Sequence, residues 1–133
     1  PIAIGEPLRT AYEFQSWFDN GALGVAQPDV VRTGLTSALK ISALAEARRI
    51  PVAPHVGVCT GIGMAATWQL AASVPNFLIQ EFQFELAERA NTILKTPLEW
   101  QGGKLIVPMR PGLGVEIDEA ALTDVIAEQW TIG

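Results

Sequence analysis

Charged residues are scarce in this chain, and cysteine and histidine are almost missing. Of 133 residues 17% are charged, with one Cys and one His; about a quarter is the usual charged share. Nine Lys and Arg stand against 14 Asp and Glu, for a net charge of −5. That balance excludes a basic footprint for nucleic acid or an anionic membrane surface. A lone Cys59 excludes an internal disulfide framework, and its apolar neighbours describe a packed thiol in a reducing, cytoplasmic setting. No basic leader precedes Pro1-Ile2-Ala3-Ile4, so no signal peptide is visible. Pro1 stands inside a strand pattern where an initiator methionine is absent, which reads as a chain cut from something longer. Val56 to Val74 carries no charge, but Gly57, Gly61, Gly63, Thr67, Gln69 and Ser73 dilute it and no basic flank follows Pro75. The stretch reads as a buried helix rather than a membrane span.

What is present is apolar surface, 49% of residues. So much of it implies a sheet covered on both faces, or surfaces covered by something beyond this chain. Short apolar runs start near residues 2, 23, 51 and 77, and each is followed by a helical or polar return. Thr10 and Glu13 have the capping-box spacing before a helix faced by Phe14, Trp17 and Phe18 and stopped at Asn20-Gly21. After a loop at Arg32-Thr33-Gly34, a helix is predicted over about Thr36 to Arg49, with Ala38, Ile41, Leu44 and Ala45 inward. A further helix is expected from about Met64 to Val74, and another over Gln83 to Leu94. Leu98 to Gln101 and Lys104 to Val107 flank Gly102-Gly103, a two-residue hairpin signal. Asp118 to Trp130 is expected to form a terminal helix or pair of turns. Apolar strands alternating with helices make the fold class α/β, with parallel strands.

Chemistry-bearing residues end these strands in order: Glu6, Asp29, His55 and Glu81. In parallel β/α architectures functional groups gather at the C-terminal edge of the sheet. Any one of the four reads equally well as a cap or a strand-end filler, His55 included; four in succession favour a site. Glu6 suits a hard divalent cation such as magnesium, though one carboxylate does not hold the ion alone. Asp29 is placed to accept from one ring nitrogen of His55, leaving the other as a general acid or base. Glu81, beside Phe77, Leu78, Ile79 and Phe82, is expected to stay protonated in an apolar setting and donate to a substrate oxyanion.

Ile4-Gly5-Glu6, Gln27-Pro28-Asp29, Ala53-Pro54-His55 and Asn76 to Phe82 together resemble the C-terminal half of the enolase superfamily, mandelate racemase subgroup, nearest in flavour to acid-sugar dehydratases. The resemblance runs through the tail from Trp100 to Gly114. It implies the second half, strands five to eight, of a modified (β/α) TIM-type barrel over residues 1–95, with a C-terminal tail over 96–133 packing on the barrel or its capping domain. It implies a magnesium enzyme, an acid-sugar dehydratase or a racemase, that removes the proton α to a carboxylate, giving an enediolate. Glu6 is then the third metal ligand, His55 with Asp29 the acid/base dyad and Glu81 the hydrogen-bond donor. The other two metal ligands, a second acid/base residue and the capping domain are expected upstream of Pro1. The implied partners are a small carboxylate substrate, the missing N-terminal half-barrel and further copies of the complete protein as a homo-oligomer.

Two other readings remain beside it. A non-catalytic fragment or subunit needing a partner half follows from four strands being too few to close a barrel. A phosphate-binding β/α domain would need a glycine cradle with a lysine, and Val56 to Gly63 has no lysine and no regular glycine spacing.

Overall fold

The computed structural model of the protein describes residues 1–123. Four extended segments run parallel and lie side by side in sequence order. The first is β1 (Ala3–Ile4), paired with β2 (Val25–Ala26). The third and fourth, around Val52 and Phe77, join through isolated parallel bridges, Ala26 to Val52 and Val52 to Phe77. The runs expected as whole strands over residues 50–55 and 77–80 therefore pair at single positions. Proline accounts for much of this: Pro51 and Pro54 have no N–H to give to a ladder. What remains is regular, with Ala53 N–H donating to Ala26 O at 2.9 Å and Leu78 N–H to Val52 O at 2.8 Å.

Helices return between the segments. α1 (Ala11–Asp19) starts on the expected capping box, Thr10 taking the Glu13 N–H and the Glu13 carboxylate reaching back to the Thr10 N–H. The Thr10 hydroxyl, with the Arg9 and Thr10 N–H groups after it, donates to the Glu13 carboxylate and holds it below its ordinary range. Phe14 and Phe18 are buried while Trp17 is half-buried at the edge of the same cluster.

The region expected as a loop after Asp29 contains a short helix, α2 (Val30–Thr33), directly before α3 (Leu35–Glu46). Four residues are too few to show a helical period, so apolar spacing does not reveal it. α3 buries Ala38, Ile41, Ser42 and Ala45, and it ends earlier than Arg49. Arg48 then donates to the Leu44 carbonyl, pairs with Asp19 at 3.1 Å and lies over the Phe18 ring, tying α3 to α1.

α4 (Gly61–Ser73) is apolar all round, as a helix packed on several sides has to be. Met64, Ala65 and Trp68 face a cluster with α5 (Phe84–Asn91), while Ala66 and Leu70 face Val30 and Ala38. The glycine hairpin forms as expected, β3 (Glu99–Gln101) against β4 (Lys104–Ile106). Trp100 and Leu105 pack on the α4–α5 cluster. From the expected terminal helix, a 3-10 turn at Ala120–Leu122 is observed, and residues 124–133 lie outside the described part.

One glycine decides where the first strand delivers its carboxylate. Gly5, between β1 and Glu6, has φ +153, and a Cβ there would meet Gln27 O at 2.6 Å and Phe14 Cζ at 2.8 Å. Gly5→Ala adds an unfavourable backbone conformation to a steric overlap with the second strand. A loss of about 2–4 kcal/mol is expected. Thermal unfolding checks this, and an unchanged midpoint would show that the turn relaxes freely.

Candidate active site

Parallel alignment of the strand ends brings all four sequence-identified residues to one point. His55 is at its centre. Nδ1 lies 2.8 Å from Asp29 Oδ2, and Nε2 lies 3.0 Å from Glu6 Oε2 and 3.7 Å from Glu81 Oε2. Backbone pairing sets the first contact, because Asp29 and His55 form a parallel bridge and His55 N–H donates to Pro28 O at 3.1 Å.

Side-chain exposure rises outward from Asp29 at 8% through His55 at 15% and Glu81 at 35% to Glu6 at 63%. The inner end is therefore support and the outer end is where a ligand has room.

Asp29 is fully engaged. Its Oδ1 accepts from Val31 N–H at 2.8 Å and Arg32 N–H at 3.2 Å, making it the N-cap of α2. One carboxylate thus satisfies a helix start and orients an imidazole. Since Oδ2 has no proton to give, Nδ1 carries the proton in that contact, and the free lone pair of a neutral ring is on Nε2. Glu81 is held by Val56, whose N–H donates to Oε2 at 3.1 Å. The apolar neighbours expected around Glu81 are arranged differently, with Phe77, Leu78 and Ile79 substantially exposed. Among the described residues Glu6 has no backbone donor and meets the imidazole alone.

Sequence reasoning missed two side chains in this neighbourhood. Gln80 Nε2 donates to Pro54 O and to Glu81 O, each at 2.9 Å, and Gln83 Nε2 donates to Val56 O at 2.7 Å. Glutamine follows no periodic rule, and the available signal was their place on either side of Glu81. Cys59 lies in the loop after His55, half-buried, and burial, with the Asp29 charge adding to it, pushes its thiol up to about 11. It is a packed thiol, as its neighbours suggested.

This is an α/β chain with a histidine and three carboxylates at the carboxyl ends of parallel strands. It belongs to the enolase C-terminal domain-like family, which matches residues 1–121. D-galactonate dehydratase of Ralstonia nicotianae is 33% identical over 131 residues, covering 93% of this chain and 34% of the relative. D-galactarolactone cycloisomerase of Agrobacterium fabrum is 34% identical over 133 residues, 93% of this chain and 35% of that protein. The crystal structure of an enolase-superfamily member from Agrobacterium tumefaciens superposes with a TM-score of 0.87 at 34% identity. That match covers 92% of this chain and 31% of the other. The chain spans about a third of the length of the curated relatives it matches. Among the described residues no helix is long and apolar enough to cross a membrane.

The Asp29 geometry makes a sharp prediction. In Asp29→Asn the side-chain oxygen is claimed by the two α2 N–H groups, so the amide NH2 has to face Nδ1. The imidazole is then forced to accept there and to carry its proton on Nε2. Nitrogen-15 NMR of the imidazole is expected to show this tautomer switch, with the unfolding midpoint nearly unchanged because the cap survives. A ring still protonated on Nδ1 would mean that Asp29 does not govern it.

The Cys59 thiol gives a second check. With its thiol pushed up to about 11, the thiolate fraction at pH 8 is about 100-fold lower than for a free cysteine. Alkylation by iodoacetamide is expected to be slower by about that factor and to keep rising with pH beyond 10. A plateau near pH 9 would contradict it.

Proposed function

We propose that this chain is the catalytic half-barrel, strands five to eight, of a magnesium-dependent dehydratase acting on acid sugars, with residues 96–133 as a tail packed on the barrel or capping domain. The carrying observation is His55, its Nδ1 fixed by Asp29 and its Nε2 turned toward the open end of the site. A histidine held this way is a general acid or base with one defined working atom. The relatives named above support the substrate class, since their activities are on galactonate and galactarolactone.

Of the three carboxylates around His55, Glu6 fits magnesium. It is exposed and oxygen-only, and among the described residues no backbone donor claims it, whereas Asp29 and Glu81 are occupied by N–H groups. Among the described residues no group of three or more His, Cys, Asp or Glu side chains is arranged as a metal site. In our reading the remaining ligands come from the other half of the barrel. When bound, magnesium supplies the positive charge that stabilises an enediolate.

The chain's own residues do the rest. A substrate hydroxyl reaching Nε2 takes the place now held by Glu6 at 3.0 Å. A base on the missing half removes the α-proton, and His55 delivers its Nε2 proton to the departing β-hydroxyl, which leaves as water. Asp29 keeps the imidazolium oriented through this transfer. Glu81 lies 3.7 Å from the same nitrogen, and in this reading it is the donor to the substrate oxyanion. In the racemase version His55 itself exchanges the α-proton.

A second reading, a fragment or subunit inactive without a partner half, is favoured by one feature. Phe77, Leu78 and Ile79 line an open apolar groove of about 800 Å³ beside the last parallel segment. The two readings agree that the isolated chain is not the working unit. Assembly of the complete enzyme as a homo-oligomer in the cytoplasm is part of the same proposal.

In the complete enzyme with D-galactonate, His55→Asn is expected to lower turnover by about 10³-fold, near the middle of the range for acid/base groups. For a dehydratase, exchange of the α-proton in heavy water persists, because leaving-group protonation alone is lost. For a racemase, exchange stops for the enantiomer whose proton faces His55. Full turnover in His55→Asn would refute both.

A further inference from the structure

Two glutamines tie the strand ends together next to this site, and neither takes part in proton transfer. Backbone bonding between the third and fourth parallel segments consists of Val52 N–H to Asn76 O and Leu78 N–H to Val52 O, each at 2.8 Å. Beyond that point side chains continue the connection. Gln80 Nε2 donates both to Pro54 O, in the residue before His55, and to Glu81 O, each at 2.9 Å. A single amide nitrogen thus spans the backbones that carry the imidazole and the Glu81 carboxylate. The Val56 peptide, directly after His55, is held from two directions, its N–H on Glu81 Oε2 and its C=O on Gln83 Nε2.

Chemistry fixes the orientation of the Gln80 amide. Both its partners are carbonyl oxygens, so only the NH2 group can face them. Gln80 Oε1 is then left buried and without a hydrogen-bond partner among the described residues. An orphaned buried acceptor is unfavourable, and an apolar side chain of the same length would avoid it. Packing therefore does not account for glutamine here, whereas its two donated bonds do.

We propose that Gln80 is a positioning residue that sets the distance between His55 and Glu81, with Gln83 fixing the Val56 N–H that orients the Glu81 carboxylate. The proposal rests on His55 being the acid/base group. In the present geometry the two reactive side chains are 3.7 Å apart, Nε2 to Oε2. Without the ties, the ends of the two segments are connected by no backbone hydrogen bond past Leu78, and the pair drifts. A displacement of about 1 Å at reacting groups costs up to about 100-fold in rate.

The test uses the complete enzyme with D-galactonate and three variants, Gln80→Met, Gln80→Asn and Gln83→Met, beside His55→Asn as a reference. Methionine matches glutamine in length and donates nothing. Gln80→Met is expected to lower kcat by about 10- to 100-fold with KM within about twofold, and to leave the unfolding midpoint unchanged or raised, since the orphaned oxygen is gone. Gln80→Asn keeps an amide that reaches one carbonyl, and recovers part of the rate. Gln83 is exposed, so Gln83→Met folds normally, and its kcat is expected to fall by about three- to tenfold. A merely structural glutamine gives the opposite signature, a lower midpoint with kcat per folded enzyme intact. If Gln80→Met does not fold, Gln83→Met decides. Wild-type kcat in the methionine variants beside an inactive His55→Asn would overturn the positioning role alone. Full activity in His55→Asn would overturn the reading beneath it.

Discussion

The carboxylate of Asp29 is where helix geometry and site chemistry meet. A carboxylate this deeply buried requires donors on every side, because an unpaired charge away from water is costly. Two come from the backbone at the start of α2 and one from the His55 ring. These demands are coupled. Shifting α2 along its axis would pull Asp29 off the imidazole, and shifting the His55 segment would break its pairing with Pro28. The helix, the second strand and the third segment therefore move as one piece. What the third segment lacks in regular pairing, having two prolines, this side-chain contact restores at the point of use.

The site was more legible in the sequence than the sheet that carries it. Glu6, Asp29, His55 and Glu81 were visible because each ends an apolar run, and parallel runs have to place such ends on one edge. Helix boundaries were visible where a local rule governs them, as at Thr10 with Glu13 and at Gly102-Gly103 between β3 and β4. A continuous strand at residues 50–55 was not delivered, because ladder bonds depend on N–H groups that Pro51 and Pro54 lack, and residues 77–80 meet the third segment at Phe77 and Leu78 with Leu78 and Ile79 left exposed. α2 was hidden by its length, and the polar surroundings of Glu81 by the fact that Val56 is remote in sequence. Gln80 and Gln83 had no pattern to betray them, since their function is defined by partners on other segments.

The low charge of the chain finds its counterpart on one side of the structure. Core positions such as Phe14, Ile41, Val52 and Trp68 are closed off, each at 1% exposure or less. Leu78 at 55% and Ile79 at 62% are not. Apolar residues in a row on the last parallel segment, bordering a groove of about 800 Å³, are a surface that water covers poorly. Such an edge also presents backbone groups ready to pair with another strand. The polar edge bearing the four titratable residues and this apolar flank make different physical demands, one suited to a polar ligand and the other to cover.

Gly57, two residues beyond His55, has a meaning for how proteins built like this one diversify. A Cβ at that position would lie 3.0 Å from His55 Cε1 and 3.7 Å from Asp29 Oδ2. Any side chain there presses on the imidazole, so the loop leaving the third segment has little freedom where it passes the ring. One residue further out the constraint is gone, since Val58 is 94% exposed. A scaffold of this kind can redraw its rim while the imidazole and its carboxylate stay nearly immobile, and one missing methyl group is enough to enforce that division of labour.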